Sequence, residues 1–451
     1  MIITMNKTRT RFAPSPTGYM HIGNLRTALF EFLIAKHEGG DFLLRIEDTD
    51  QERKVEGAVD VIYKTLKECG LNWDEGPDIG GDFGPYVQSE RLPMYKGYAE
   101  DLIKLGGAHY CFCSEEEIEA QRKEAESLGI SFKFNDPCKH LSAEEVQAKL
   151  DAGEPYVIRQ TIKDVGETYF DDEVYGRIEV DGDVLDEQIL IKSDGYPTYN
   201  FANIIDDHQM QISHVVRGNE YLSSTPKYNL IYDAYGWQRP TYVHVPPVMK
   251  DEHHKLSKRN GDASFQDLVA KGYLPDAIMN YIALLGWAPE TEQEIYTLDE
   301  LIKVFNIHRI SKSPAIFDID KLTWMNGVYL RNMDEETYYE TVRPYLEKAV
   351  HGPYNLKEIA KIIQPRIDIL NQIEESVDFF DTLVDYDLEM YRHKKMKTTP
   401  EVALKALKAS KQTLEAFDQW DSMDALHECL LALPKELEMK NGQVLWPIRT
   451  A

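Results

Sequence analysis

The sequence predicts an α/β fold in which a doubly wound parallel sheet is split by an insertion and followed by a mainly helical region. The first hundred residues alternate short apolar runs with amphipathic helical patterns, as strands and crossover helices do. Strand-like runs return at residues 212–216 and 242–245 after a stretch of different pattern. Beyond about residue 325 the strand patterns fade, and helical periodicity continues almost to the end. The sheet is therefore expected to be assembled from two separate parts of the chain.

The amino-terminal elements follow a strand, helix, strand order. A strand is predicted over residues 8–13, a turn rich in proline and glycine comes next, and a helix runs from about 22 to 37. A Gly-Gly pair ends that helix, and residues 41–46 form the next strand. Two strands joined through a helix in this way are expected to lie parallel, with a right-handed crossover.

Two more helices are predicted before the pattern changes. Apolar residues recur at helical spacing from Val55 to Leu66, with Gly70 closing the segment, and a third helix covers residues 92–105. From about residue 111 to 190 short helical and strand patterns interrupt this order. That stretch is interpreted as an inserted module.

Length and composition exclude several classes of protein. A chain of 451 residues, 43% of them hydrophobic, can bury more than one core and is expected to form three or four modules. It has no run of eighteen apolar residues, and its first residues lack the apolar segment of a signal peptide. We therefore expect a soluble cytoplasmic protein without membrane contact. Five cysteines are an odd number for a disulfide framework, so disulfides are not expected.

Charge is distributed unevenly along the chain. A net charge of −27 argues at first sight against a nucleic-acid partner, because phosphate binding draws on lysine and arginine. Residues 392–411 nevertheless hold seven basic residues against one glutamate, a local charge of +6. By itself this window is interpreted as a solvated helix face with a basic loop. The basic residues are Arg392, Lys394, Lys395, Lys397, Lys405, Lys408 and Lys411.

A candidate phosphate site follows the first predicted strand. Residues 11–26 place a turn and then a helix start directly after that strand. Backbone N–H groups at a helix start lack partners within the helix and can receive phosphate oxygens. His21 can donate a hydrogen bond to charge developing on phosphorus, and Gly23 leaves room for a nucleoside. The tripeptide His-Ile-Gly alone is a weak signal, so its context carries the prediction.

A second candidate phosphate site lies far downstream. The pentapeptide KLSKR, residues 255–259, falls in a polar loop after the last predicted strand. Lysines on such a loop can close on a triphosphate and neutralise the pyrophosphate as it leaves. In isolation this pentapeptide is more simply interpreted as a basic surface turn. The combination of both sites favours a nucleotide-dependent enzyme.

Four long motifs occur in order: RFAPSPTGYMHIGNLRTALF, LRIEDTD, SDGYPTYNFANIIDDH and KLSKR. Together they resemble the bacterial glutamyl-tRNA synthetases, class I enzymes with HIGH and KMSKS signatures. The resemblance covers essentially the whole chain. Asn24 stands where the general pattern has a second histidine, and Leu256 and Arg259 vary the second signature. A Rossmann-like catalytic domain and ATP-dependent activation of glutamate to glutamyl adenylate, followed by transfer to the 3′ end of tRNA(Glu), are implied by the resemblance.

The resemblance also implies roles for single residues. His21 and Lys258 are the expected catalytic residues, acting by charge stabilisation with Mg²⁺ on the phosphates. Expected ATP-binding residues are Gly23, Asn24, Lys255 and Lys258.

Glutamate carries two carboxylates and an ammonium group, so its pocket needs cations and one anion. An arginine fork matches a carboxylate, whereas a carboxamide puts an NH₂ group against the guanidinium, and this mismatch disfavours glutamine. By resemblance, Arg11 is expected to hold the side-chain carboxylate and Glu47 the ammonium. The remaining expected glutamate-binding residues are Ser15, Tyr199, Asn203 and Arg217.

A zinc site is predicted from cysteine spacing. Cys111-x-Cys113 and Cys138-x-His140 are two potential ligand pairs separated by 24 residues. Three thiolates and one imidazole suit a closed tetrahedral structural zinc site. The alternative is that the cysteines only pack in a core and that His140 is a surface residue.

The expected domains follow from motifs and resemblance. Residues 1–110 and 191–250 are assigned to the two halves of the Rossmann-like catalytic domain, 111–190 to an inserted acceptor-end and zinc domain, 251–325 to the KLSKR loop and stem-contact region, and 326–451 to a helical anticodon-binding domain. Expected partners are tRNA(Glu), L-glutamate and ATP, and a monomer is expected. Whether tRNA(Gln) is also charged stays open.

Alternatives to this prediction remain. Glutaminyl-tRNA synthetase shares the architecture but differs from the APSPTG motif, a shorter paralogue that modifies a tRNA base lacks the tail domain, and a non-catalytic tRNA-binding relative is expected to lose His21, Gly23 or Lys258. The chain ends at Ala451, where relatives that resemble it continue for a few helices. Either a weakened anticodon site or a truncated chain is expected from that ending.

Overall fold

A computed structural model describes residues 7–49, 55–163, 166–256, 264–381 and 386–451. The chain divides into two compact units: the first comprises Met1–Lys348 and Asn355–Glu374, the second Ala349–Tyr354 and Glu375–Ala451. Within the described ranges, no helix is long and apolar enough to cross a membrane.

Strands and helices alternate in the first part of the chain, and helices dominate the last part. The strands are β1 (Arg9–Phe12), β2 (Asp41–Leu44), β3 (Ala108–Cys111), β4 (Val157–Gln160), β5 (Glu167–Asp172), β6 (Gly176–Asp181), β7 (Ile189–Ile191), β8 (His214–Gly218), β9 (Thr241–Val245), β10 (Val248–Met249) and β11 (Ala315–Ile316). The α-helices are α1 (Ile22–His37), α2 (Ala58–Glu68), α3 (Leu92–Lys104), α4 (Glu115–Leu128), α5 (Ala143–Asp151), α6 (Tyr199–Gln209), α7 (Thr225–Tyr235), α8 (Phe265–Ala270), α9 (Pro275–Ala283), α10 (Leu298–Val304), α11 (Ile319–Asn332), α12 (Glu335–Ala349), α13 (Leu356–Ile363), α14 (Ile373–Val377), α15 (Pro400–Glu415), α16 (Met423–Glu436) and α17 (Asn441–Thr450).

The central strands of the first unit are parallel. β1 pairs with β2 in parallel, and β8 pairs with β9 in parallel. β1 lies next to β8, where the Ser213 amide donates to the Arg9 carbonyl (3.0 Å). The predicted parallel sheet, built from two separated parts of the chain, is therefore confirmed. Its strands end close together, which places Arg11 and Arg217 in one region.

Helix α1 has the bounds predicted from the sequence. His21 begins it in an extended conformation, and Gly39 follows it at a φ of 64°, a left-handed conformation that glycine adopts without strain. Leu25, Leu29 and Leu33 on this helix are fully buried. Burial of each such side chain contributes roughly 1.5–3 kcal/mol, so the hydrophobic core holds the start of α1 firmly in place.

The stretch predicted to be an insertion contributes to two sheets. β3, β4 and β7 form a separate antiparallel sheet. β5 and β6 form a hairpin, and β5 pairs in parallel with β9 through Asp172 and Tyr242. The predicted domain limit at residue 190 stays a prediction, but this hairpin connects residues 167–181 directly to the central strands.

The second unit is mainly helical, as predicted. Helices α15, α16 and α17 surround a small core formed by Ala406, Leu433 and Val444. Thr399 caps α15 by accepting a hydrogen bond from the Val402 amide, the usual arrangement for a helix start. This packing fixes the helix that carries much of the basic window.

Candidate active site and metal centre

His21 occupies the start of α1 and uses both ring nitrogens. Its Nδ1 accepts a hydrogen bond from the Gly23 amide (3.0 Å), and its Nε2 lies 3.0 Å from the carbonyl oxygen of Leu256. Since Nδ1 is an acceptor here, the proton of a neutral ring is on Nε2, which donates to Leu256. The Nδ1 atom thus caps the helix, while the Nε2 atom presents a donor to Leu256.

Both ends of the KLSKR-containing segment meet the start of α1. Leu256 contacts the His21 ring, and Ser264 forms an isolated antiparallel bridge with His21. The Phe265 amide donates to the Met20 carbonyl (3.2 Å). Residues 257–263, which include Lys258, lie outside the described residues. Leu256 and Ser264, the described residues that flank this gap, both lie at the start of α1, and the convergence of the two phosphate motifs stays a prediction.

The structure describes three of the expected ATP-binding residues, Gly23, Asn24 and Lys255, and places them near His21. Gly23 is on the first turn of α1, where a Cβ atom would lie 3.2 Å from His21 Nδ1. A side chain at this position would crowd the imidazole that accepts the Gly23 amide. Asn24 is exposed on the same turn, and Lys255 is exposed beside Leu256.

Arg11 is buried on β1 and already holds carboxylates of the protein. Its Nε and Nη2 donate to the two oxygens of Asp207 (2.8 and 3.1 Å), and Nη1 donates to Glu31 (3.3 Å). Asp207 thus takes the Nε/Nη2 edge of the guanidinium. Nη1 also donates to the Val216 carbonyl (3.5 Å), so only one N–H of Nη2 is left for a ligand carboxylate, a restriction that the motif did not indicate.

Arg45 joins this buried network to Glu47. Its Nη1 donates to Asp207 (2.7 Å), and its Nη2 donates to Glu47 Oε1 (2.9 Å). Burial tends to raise the pKa of Asp207, but the charges of Arg11 and Arg45 outweigh burial and hold this pKa below its ordinary value. Burial raises the pKa of Glu47, and Arg45 opposes the rise. Glu47 Oε2 has no hydrogen-bond partner among the described residues, so it can accept from a ligand.

Glu31 is the carboxyl of this network in which neighbouring cations offset the effect of burial least. Burial raises its pKa well above the ordinary value, against the opposing charge of Arg11. Its Oε2 atom is buried without a hydrogen-bond partner in the described part of the chain.

Tyr199, at the first turn of α6, faces the same site. Its ring lies 5.6 Å from the ring of Tyr221, centroid to centroid. Burial raises the pKa of the Tyr199 hydroxyl, the charge of Glu47 raises it further, and Arg217 and Arg11 lower it. The Arg217 guanidinium carbon lies 5.2 Å from the centroid of the same Tyr221 ring. The structure therefore brings Tyr199 and Arg217 together around Tyr221, and it joins Arg11 to Glu47 through Asp207 and Arg45.

Asn203 and Ser15 differ in their surroundings. Asn203, one turn after Tyr199 on α6, is 3% exposed, and its Nδ2 has no hydrogen-bond partner among the described residues. A buried donor without a partner is costly, which is a reason to expect an acceptor from a ligand. Ser15 is exposed on the turn after β1.

Three buried residues of the site, Asp207, Arg45 and Glu31, were not predicted from the sequence. Asp207 and Arg45 lie inside the quoted motifs NIIDDH and LRIEDTD, so their positions were a usable signal. For Glu31 the sequence carried no such signal, because this residue looks like an ordinary polar position on an amphipathic helix.

Three cysteines converge as predicted, but with a different fourth residue. Potential ligand atoms of Cys111, Cys113, Cys138 and Asp136 lie within 4.8 Å of one another. His140 is exposed and does not belong to this group. The reason is local: Pro137–His140 is a 3-10 turn, and with three residues per turn, positions 138 and 140 point in different directions. The prediction of His140 is therefore replaced by Asp136.

The environment of Asp136 suits a metal ligand. Asp136 is fully buried, its Oδ1 accepts from the Cys138 amide (2.8 Å), and His109 Nε2 lies 3.0 Å from its Oδ2. The Phe112 amide donates to Cys138 Sγ (3.3 Å). Such outer contacts orient metal ligands and stabilise thiolates. Three thiols and one oriented carboxylate fit a closed tetrahedral zinc site.

Comparisons with known proteins agree with this geometry. Residues 7–324 match the family described as tRNA synthetases class I (E and Q), catalytic domain, and residues 337–451 match the anticodon binding domain. The chain is 59% identical over 446 residues to a glutamate–tRNA ligase of Clostridium botulinum (99% of this chain, 92% of the relative). It is 58% identical to that of Clostridium tetani, covering 99% and 91%.

Solved structures give the same picture. The fold is similar to that of a glutamate tRNA ligase from Elizabethkingia meningosepticum in complex with its amino acid, with a TM-score of 0.89 and 34% identity over 98% of this chain and 93% of that one. It is also similar to the glutamate-tRNA synthetase from Elizabethkingia anophelis, with a TM-score of 0.87, 34% identity, and the same coverage of 98% and 93%.

Proposed function

This chain belongs to the family of glutamate–tRNA ligases, class I aminoacyl-tRNA synthetases, and from that premise we propose that it activates L-glutamate with ATP and esterifies it to the 3′ end of tRNA(Glu). The observation that carries the proposal is the contact of His21 with Leu256 and Ser264, the described residues on either side of residues 257–263. These contacts bring a helix start and an imidazole donor next to the residues that flank the basic motif, an arrangement that suits a nucleotide triphosphate.

In the first step the α-carboxylate oxygen of glutamate attacks the α-phosphorus of ATP. A new O–P bond forms, the bond to the β-phosphate oxygen breaks, and its electron pair leaves with pyrophosphate. When Mg²⁺ is bound to the phosphates, it neutralises part of their charge. The role of the chain is to align the reactants and to donate hydrogen bonds to the developing charge. His21 Nε2–H is proposed to exchange Leu256 for a phosphate oxygen, and Lys258 is assigned to the same charge by resemblance.

Glutamate is proposed to bind in the site bordered by Tyr199. Glu47 Oε2 accepts from the ammonium, which adds a second positive charge beside a carboxylate already held by Arg45. Arg217 and the remaining N–H of Arg11 Nη2 are proposed to donate to a substrate carboxylate. Charge-assisted hydrogen bonds contribute roughly 1.5–3 kcal/mol each, so a carboxamide that cannot accept from both cations is strongly disfavoured.

The tRNA contacts are proposed from charge and exposure. Five lysines of the basic window are exposed and have no ion-pair partner among the described residues, whereas Arg392 pairs with Glu389 and Lys411 with Glu415. Unpaired cations are available to phosphates. We assign residues 326–451 to the anticodon and 111–190 to the acceptor end. The five lysines are Lys394, Lys395, Lys397, Lys405 and Lys408.

We expect the purified protein to charge tRNA(Glu) with glutamate and to leave both tRNA(Glu) and tRNA(Gln) uncharged with glutamine, because the cationic site rejects a carboxamide. The measurement is aminoacylation of each tRNA with each radiolabelled amino acid. Charging of tRNA(Gln) with glutamate would assign a broader tRNA specificity without changing the reaction. Preferential charging with glutamine would favour glutaminyl-tRNA synthetase, and the absence of charging would favour a non-catalytic relative.

We also propose a structural zinc ion held by Cys111, Cys113, Cys138 and Asp136. Protein purified without chelator is expected to contain about one zinc per chain by elemental mass spectrometry, the stoichiometry of a single four-coordinate site. Asp136→Ala is expected to lose zinc, whereas the matched variant His140→Ala keeps it. Zinc loss confined to His140→Ala would restore the ligand set predicted from spacing, and a metal-free native protein would end the proposal.

A further inference from the structure

The Arg217 guanidinium is held on three sides. Its Nε donates to His244 Nε2 (3.1 Å), and its Nη2 donates to the Thr225 hydroxyl (2.7 Å). Its flat face lies near tyrosine rings, with the guanidinium carbon 4.8 Å from the centroid of Tyr228 and 5.4 Å from that of Tyr242. Nη1 has no hydrogen-bond partner among the described residues. The guanidinium therefore has one open end in a fixed orientation.

Arg217 lies beside the proposed glutamate site. Its guanidinium carbon is 5.2 Å from the centroid of Tyr221, and the Tyr221 ring is 5.6 Å from the ring of Tyr199. The charge of Arg217 lowers the pKa of the Tyr199 hydroxyl, which agrees with this proximity. A guanidinium that can rotate loses binding energy when it is ordered by a ligand. A guanidinium already fixed in direction avoids that loss.

His244 can accept from Arg217 in only one protonation state. Its ring is fully buried on β9, directly opposite Arg217 in the parallel register of β8 and β9. Because Nε2 accepts from Arg217, the proton of the ring must be on Nδ1, which lies 2.6 Å from Asp172 Oδ2 and donates to it. Burial lowers the pKa of His244, the hydrogen bond to Asp172 opposes this change, and the charge of Arg217 lowers the pKa further. The net shift is downward, which favours the neutral ring.

Asp172 fixes that tautomer. Its Oδ1 accepts from the amides of Val174 (3.0 Å) and Tyr175 (2.8 Å), and its Oδ2 accepts from the amide and Nδ1 of His244. All four hydrogen bonds run toward the carboxylate, so its oxygens accept and none donates. An acceptor in this place forces the proton onto Nδ1 and leaves Nε2 free to accept. Through Asp172 and His244, the β5–β6 hairpin is thereby connected to Arg217.

We propose that His244 and Asp172 are positioning residues that aim the open end of Arg217 at a carboxylate of the amino-acid substrate. The inference rests on the proposed function, because it needs glutamate in the pocket beside Tyr199. A purely structural role would be served by apolar side chains of similar volume, without the cost of burying a carboxylate and an imidazole. The hydrogen bonds from Arg217 to His244 and from His244 to Asp172 orient the guanidinium. This orienting role explains why these polar groups are buried there.

Two substitutions at one position separate positioning from packing. In His244→Asn the amide nitrogen can take the place of Nδ1 and donate to Asp172, but no acceptor reaches Arg217. In His244→Gln the amide oxygen can take the place of Nε2 and accept from Arg217. The assay is glutamate-dependent exchange of pyrophosphate into ATP, in the presence of tRNA(Glu), with the Michaelis constant measured for glutamate and for ATP. Thermal melting with and without glutamate is recorded for each variant.

We expect His244→Asn to raise the Michaelis constant for glutamate about 10- to 100-fold, the loss expected for one charge-assisted hydrogen bond. The constant for ATP should stay within about twofold, and His244→Gln should recover most of the loss. An unchanged glutamate constant in His244→Asn would overturn the inference, as would equal losses in both variants or loss of folding in both. If the unmodified protein catalyses no glutamate-dependent exchange, the proposed function itself fails, and that result is distinct from these.

Discussion

Replacing Arg11 with alanine is expected to abolish glutamate activation and also to destabilise the first unit. The substitution removes a cation from the glutamate site, and it leaves Asp207 and Glu31 buried with fewer partners. Breaking a buried ion pair from one side costs about 3–5 kcal/mol. The motif alone suggests a variant that loses activity with its fold intact. The contacts with Asp207 give a physical reason to expect both losses.

The test combines pyrophosphate exchange with urea unfolding of Arg11→Ala. A matched control is Arg177→Ala, which removes an exposed arginine paired with Asp171 on the β5–β6 hairpin, and surface pairs of this kind contribute little. This control is expected to retain both activity and stability. A near-normal exchange rate in Arg11→Ala would contradict its assignment to the substrate site. Loss of stability with normal substrate binding would leave Arg11 as a structural residue only.

The second large effect is expected at His21. His21→Asn keeps an oxygen near the position of Nδ1, so the Gly23 amide retains an acceptor and α1 keeps its cap. The donor at Nε2 is lost. We expect adenylate formation to slow by about 10²- to 10³-fold, the range found when one donor to developing charge is removed, while the melting temperature stays close to that of the unmodified protein. Single-turnover kinetics and calorimetry give the two measurements.

The complementary substitution is His21→Gln. Its amide can place a donor near the position of Nε2, but it no longer caps the helix. This variant should therefore lose more stability and less rate than His21→Asn. If His21→Asn forms adenylate at the normal rate, the imidazole serves only as a cap, and the catalytic assignment of His21 is wrong.

Much of the fold was predictable because its signals are local. Glycines and apolar spacing mark both ends of α1, and the predicted bounds of 22 to 37 agree with Ile22–His37 in the structure. Four strands, β1, β2, β8 and β9, were predicted within two residues of their observed bounds, since short apolar runs between turn residues are a useful local pattern. Residues inside the long motifs, such as Tyr199 and Asn203, were assigned to the site by the family resemblance, and their binding roles stay predictions.

The remaining features depend on contacts between distant residues. Asp207 occupies one edge of the Arg11 guanidinium, although the two residues are 196 positions apart in the sequence. No rule of sequence spacing predicts such a pair. His244 lies on a short apolar strand and resembles a core position until β8 and β9 are paired. In the predicted zinc ligand set, only His140 lies apart from the group that the structure shows, and the reason is different. Spacing identified the cysteines, but the turn after Asp136 decides which neighbour points inward.

The hydrogen bond between His21 and the Leu256 carbonyl has a consequence for nucleotide affinity. A triphosphate that reaches this imidazole replaces a neutral carbonyl acceptor with a charged phosphate oxygen, so the ground state gains only the difference between two hydrogen bonds. That gain increases when further negative charge accumulates on the phosphate during bond breaking, because a more highly charged acceptor makes the stronger hydrogen bond. His21 should therefore contribute more to the velocity of the reaction than to the tightness with which ATP is held.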